Sequence, residues 1–215
     1  MKVSISTSVT NHDSVKAQVC RMPDPNNLSV DEVIERIIKL NEGLRKFWGR
    51  EEGWAPLEAA ELISNSRLDR QVSLSHCLKL WIASVKPEQE DGYLILAWAN
   101  LGSLMEGSMK LFLSVWYKTY ISDIDAIKWK GKLQNPDGLQ LEPLRQFFKK
   151  RIWDDTFDVY IQTIQQRRNA IHAFKDRDIG TKEDFANNIR IYLNILRYIN
   201  CRLPYPDDIY APRET

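Results

Sequence analysis

Cysteine and histidine are scarce in this chain, with three of each among 215 residues. Cys20, Cys77 and Cys201 lie far apart and show no paired spacing, which argues against a disulfide framework and against a zinc site. Three free thiols in a reducing cytosol are the expectation. A strong charge of either sign is missing too. The 30 Lys and Arg against 29 Asp and Glu leave +1, so any nucleic-acid surface has to be a local patch. No apolar run approaches the roughly 18–20 residues that span a bilayer. Met1–Thr7 offers no apolar signal core, and the expected location is the cytoplasm. Without a secretory signal the Asn27-Leu28-Ser29 sequon carries no weight. Repeats, low-complexity tracts, a glycine-rich phosphate loop and a zinc-ligand helix are all lacking, and neither cofactor nor metal is expected.

What the chain does have is apolar residues at helical spacing. The hydrophobic fraction is 43% and aromatics are plentiful, enough for a sizeable core. Residues 1–28 read as a poorly ordered lead-in, with a short strand near Val3–Val9. Ser29, with Glu32 three positions on, forms a capping box ahead of Val30, Val33, Ile34, Ile37 and Ile38, which predicts a helix over 30–48. A second helix begins at Pro56 and runs to Val85, with a soft spot at Ser64-Asn65-Ser66. Residues 92–120 are apolar nearly all round and read as the buried central helix. A narrow stripe of Asn100, Ser103, Glu106, Gly107 and Lys110 interrupts them. Gly102 and Gly107 each cost about 1 kcal/mol of helix propensity against alanine, which points to close packing. The stretch 121–140, with Lys128, Lys130 and Lys132, reads as a long loop. A fourth helix spans about 142–170 with a kink near Trp153-Asp154-Asp155. Thr181 and Asp184 cap a fifth over 182–201. The expected architecture is all-α: one bundle of about five mostly antiparallel helices over 29–203, then an extended proline-rich tail over 204–215.

The chemistry gathers in Gln165-Gln166-Arg167-Arg168-Asn169-Ala170-Ile171-His172. Arginine offers a planar fork of donors to a phosphate, and histidine exchanges a proton near neutral pH. From Arg145 to Arg177 the chain carries eight basic residues against four acids, a local +4. Lys149, Lys150 and Arg151 are the candidate RNA or phosphate contacts in that segment. Glu106 has two candidate partners, Lys110 at i,i+4 and the Arg/His stretch. Cations closing a helix C-terminus also stabilise it by about 0.3–1 kcal/mol each, so a purely structural reading needs no site.

Arg167, four residues, then His172 resembles the Arg-x4-6-His motif of HEPN domains, small helical bundles of prokaryotic defence and toxin systems. The spacing favours Arg167 as the motif arginine. The Arg168-Asn169 pair favours Arg168, because asparagine follows the arginine in the family's commonest form. Arg70 and His76 match the loose pattern as well, but without the asparagine neighbour, the helix end or the local charge. The resemblance implies a metal-independent ribonuclease with Arg167 and His172 catalytic and Arg168 and Asn169 supporting; the residues themselves add Glu106 as a group that could orient the Arg/His stretch from behind. It implies a homodimer acting on RNA, with a possible antitoxin or regulatory protein as partner. A non-catalytic HEPN-like module binding nucleotide, phosphate or a protein is the alternative.

Overall fold

The computed structural model describes residues 22–49, 57–153, 155–172 and 176–215, together with Val19. The strand expected near Val3–Val9, the helix start at Pro56 and the cysteine at 20 lie outside the described residues. Among the described residues eight α-helices have bounds: α1 (Val30–Trp48), α2 (Leu57–Ser64), α3 (Leu68–Trp81), α4 (Glu90–Val115), α5 (Tyr117–Ile121), α6 (Leu141–Arg151), α7 (Asp155–Arg168) and α8 (Lys182–Cys201). A two-stranded hairpin, β1 (Lys128–Trp129) and β2 (Lys132–Leu133), is the only sheet among them. The all-α expectation holds. The five expected spans become eight helices because three of them break.

The breaks are fixed partly by nearby hydroxyls and partly by contacts from α8 and the turn after it. At Ser64–Ser66 the hydroxyls of Ser64 and Ser66 bond back to the carbonyls of Glu61 and Ile63 at 3.0 and 2.5 Å, competing with helix continuation. At Ile152 and Trp153 both backbone N–H groups turn to the Phe148 carbonyl. Trp153 then enters the core against Phe148, ring centroids 4.5 Å apart. The Ile152 carbonyl freed by this break accepts hydrogen bonds from the Tyr198 hydroxyl of α8 and from Arg202 just after it, so the interruption leaves no orphan acceptor. At Trp116 the indole nitrogen reaches the Arg202 carbonyl, 3.1 Å away.

The cap signals are met where they were read. Ser29 with Glu32 and Thr181 with Asp184 form complete capping boxes, and α1 and the last helix begin as expected. The central helix is α4, with Trp98, Leu101, Leu104, Met105, Met109, Phe112 and Leu113 fully enclosed. It packs against α3, α7 and α8, while α1 rests on α3 and α8. No helix among the described residues is long and apolar enough to cross a membrane.

The tail beyond Pro204 includes a buried anchor. Pro212 packs on Gly43 of α1. Glu214 accepts hydrogen bonds from Arg197 Nε and Nη2 at 2.7 Å each and from Arg36 at 2.6 Å.

Candidate functional site

Helix α7 delivers the candidate stretch. Its last turn holds Arg167 and Arg168, and a single 3-10 turn over Asn169–Ile171 follows. Ala170 is buried and pins this turn to the core. The Asn169 carbonyl accepts the His172 N–H at 3.2 Å, closing the turn. His172 and Ile171 are exposed. Among the described residues the His172 ring has no hydrogen-bond or ion-pair partner.

Arg167 is held rather than solvated. Its guanidinium lies over the Trp98 ring, 4.9 Å from the centroid. It also meets Gly180, whose φ of +64° and missing Cβ both matter, since a side chain there would collide with the guanidinium. Trp98 is itself fixed, its indole N–H donating to the Ile179 carbonyl at 2.7 Å and its ring meeting Phe185 edge-on. Two carboxylates approach Arg167 at long range, Asp178 at 3.4 Å and Asp184 at 3.5 Å. Asp184 sits below the usual carboxylate range, first through the Thr181 backbone N–H, then through the Thr181 hydroxyl, with a smaller contribution from the Arg167 charge. Thr163, Gln166, Arg167, Arg177 and Asp178 line an open depression.

Arg168 turns the other way, onto α4. Its Nη1 bonds Glu106 at 2.9 Å, and Glu106 also pairs with Lys110 at 2.9 Å. Both candidate partners of Glu106 are thus used together. The aliphatic part of Arg168 lies against Gly102, where an added Cβ would sit 2.6 Å from Cδ. Gly107 plays the same part for the Gln71 amide of α3. The close approach expected at these glycines is therefore that of a side chain to a helix within one protomer.

Lys149, Lys150 and Arg151 form the last turn of α6, beside the start of α7 and so away from Arg167 at its end. Lys149 pairs with Asp158 at 3.0 Å and Asp155 at 3.2 Å. Arg151 pairs with Asp125 at 2.7 Å and Asp123 at 3.0 Å, and Lys150 lies 3.5 Å from Asp125. Arg145 binds Glu142 and Asp158. Four bases there meet five carboxylates. The rival pair is separated in role: His76 is exposed and pairs with Glu42 at 3.6 Å, and Arg70 is exposed on α3.

Sequence reading missed Trp98, Asp178, Gly180 and Asp184 as the residues that hold Arg167. The available signal was the Asp178-Ile179-Gly180 stop followed by a capping box, which places two carboxylates and a glycine where α7 must meet α8. Among the described residues no three His, Cys, Asp or Glu side chains group as a metal site requires. Compared with protein-family models, with curated proteins and with solved structures, the chain matches none.

Proposed function

We propose that the chain is a metal-independent endoribonuclease of the HEPN-like toxin or defence type, cleaving RNA at a site shared by two protomers. One observation carries the reading: an exposed imidazole stands just beyond a helix end whose arginine packs against an indole and a glycine. A guanidinium fixed in advance suits the charge that grows on a phosphoryl group, because no reorganisation is needed at the moment of reaction. Its carboxylate contacts at 3.4 and 3.5 Å are long for a charge-assisted bond, which leaves donors for a phosphate.

In this mechanism the RNA 2′-oxygen attacks its own 3′-phosphorus. The 2′-O–P bond forms, the P–O5′ bond breaks, and the products are a 2′,3′-cyclic phosphate and a 5′-hydroxyl. One imidazole takes the 2′-hydroxyl proton and another donates a proton to O5′. Each protomer supplies one His172, so an isologous dimer supplies both. Arg167 holds the phosphoryl oxygens. Arg168 positions the turn through Glu106 and contributes less to the charge.

The binding-module reading draws on a different observation. Both arginines already have carboxylate partners, so the same residues suffice to clasp α7 to α4 and α8. The discriminating experiment measures cleavage of total RNA and melting temperature together. His172→Ala is expected to lower cleavage by about 10²–10⁴-fold with no change in melting, since the ring is exposed. Arg167→Ala is expected to lower it by about 10²–10³-fold, Arg168→Ala less, and His76→Ala not at all. Cleavage should survive EDTA, and light scattering should give about twice the 25.1 kDa chain mass. Undiminished cleavage by the His172 variant sinks the mechanism, and an inactive wild type leaves the binding module.

A further inference from the structure

The hairpin between α5 and α6 has no part in the site described above. β1 and β2 pair antiparallel, with Lys128 opposite Leu133 and Trp129 opposite Lys132. Lys130 at φ 49° and Gly131 at φ 78° make the turn, the two left-handed positions of a tight two-residue hairpin. Its base is anchored. Ala126 is buried, the Gln134 N–H bonds the Ile127 carbonyl at 2.9 Å, and the Tyr120 hydroxyl bonds the Gln134 carbonyl at 2.8 Å.

The tip is exposed throughout, and Trp129 keeps 67% of its surface in solvent. Residues 126–134 contain three lysines and no acid. Among the described residues Lys128, Lys130 and Lys132 make no ion pair. Of the acids nearest in sequence, Asp123 and Asp125 are taken by Arg151 and Lys150, and Asp137 accepts the Gly138 backbone N–H.

We propose that this hairpin tip binds single-stranded RNA, a base stacking on Trp129 and the flanking phosphates meeting Lys128, Lys130 and Lys132. An aromatic face with cations at strand spacing is the arrangement by which single strands are held without regard to sequence. The register places Lys132 across from the indole on the same face, so a stacked base brings its phosphate to that ammonium. The other face pairs Lys128 with Leu133. Neither face is continuously apolar, which disfavours insertion into a bilayer. A duplex keeps its bases stacked on one another and offers none to the indole. The choice of RNA over DNA rests on the ribonuclease reading; the stacking site does not.

The test uses fluorescence anisotropy of labelled oligoadenylate and oligouridylate with the full chain carrying His172→Ala, which keeps the probe intact. Trp129→Ala in that background is expected to weaken binding about 5- to 150-fold with unchanged melting temperature. Replacing Lys128, Lys130 and Lys132 together by glutamine should reduce the slope of log affinity against log salt by about 2, three phosphates at 0.7 each. Equal affinity of the Trp129 variant, equal loss on a duplex of the same sequence, or no binding by the parent overturns the proposal. So does binding to phosphatidylserine vesicles that depends on Trp129 while RNA binding does not. Stacking on Trp129 without any cleavage by wild type leaves this inference standing and removes the nuclease. Cleavage unaffected by Trp129→Ala does the reverse.

Discussion

Two arginines show how the same chemistry is used in opposite ways. Arg197 is 1% exposed, and its fork meets Glu214 through two bonds of 2.7 Å, with Arg36 sharing the same carboxylate. Arg167 keeps 13% of its side chain in solvent and meets its carboxylates only at 3.4 and 3.5 Å. The first is saturated. Its remaining donor, Nη1, goes to the Pro23 carbonyl and Asn194. The second is held mainly by an aromatic ring and a glycine, neither of which consumes its donors. An arginine fixed by stacking keeps its hydrogen bonds free for something else, and one fixed by a buried carboxylate does not.

The sharpest way to break this comparison is to remove both. Arg197→Ala takes two of the three hydrogen bonds from the buried Glu214, leaving it with Arg36 alone, and is expected to cost about 3 kcal/mol in urea denaturation. Arg167→Ala loses a mostly shielded stacking contact and is expected to cost about 0.5–2 kcal/mol. Equal losses would falsify the distinction between a structural and an available arginine. Gly102→Ala comes next. It forces a methyl against the Arg168 stem, an overpacking expected to cost about 1–3 kcal/mol. In an Arg168→Ala background most of that cost should vanish, and a loss that persists would place the fault in the helix and not in the contact.

The smallest effect reads the buried clasp from outside. Burial pushes the Cys201 thiol up to about 11, with the Glu214 charge adding to the rise and Arg197 opposing it. A raised thiol stays protonated at neutral pH, and only the thiolate reacts. Alkylation of Cys201, followed by peptide mass spectrometry, should therefore be slow at pH 8 and climb until the pH nears 11. Glu214→Gln removes one of the charges that raises the thiol, and the rate at pH 8 should increase by up to about tenfold, one unit of pKa. An unchanged rate would mean that Glu214 does not govern the thiol.

Helix ends with short-range grammar were legible in the sequence. Ser29–Glu32 and Thr181–Asp184 declare themselves within four residues, and the apolar period fixes which face follows. The breaks were half legible. Ser64–Ser66 announces itself through hydroxyls, but the break at Ile152 depends on Tyr198 and Arg202, some fifty residues later. The candidate site was legible as a cluster and not as a geometry. Counting charge from Arg145 to Arg177 gave +4, yet Asp123, Asp125 and Glu142 come from outside that window and meet Arg145 and Lys149–Arg151 in space. Nothing in the spacing of Trp98, Gly102 and Glu106 on α4 says that two arginines of α7 will part around them. The buried role of Glu214 was hidden as well, since a glutamate among prolines reads as solvated chain.

The ties of α8 to the rest of the chain also bear on how it reaches this state. Arg190 holds the carbonyls of Pro25 and Leu28, and Arg197 that of Pro23, across 162 to 174 residues. Arg36 waits for a glutamate 178 residues downstream. On the ribosome α1 is therefore made long before anything that covers its α8-facing side, and its apolar side stays uncovered until α3 and then α8 emerge. Contacts so distant slow the search for the native state, and the growing chain is open to proteases and aggregation for most of its synthesis.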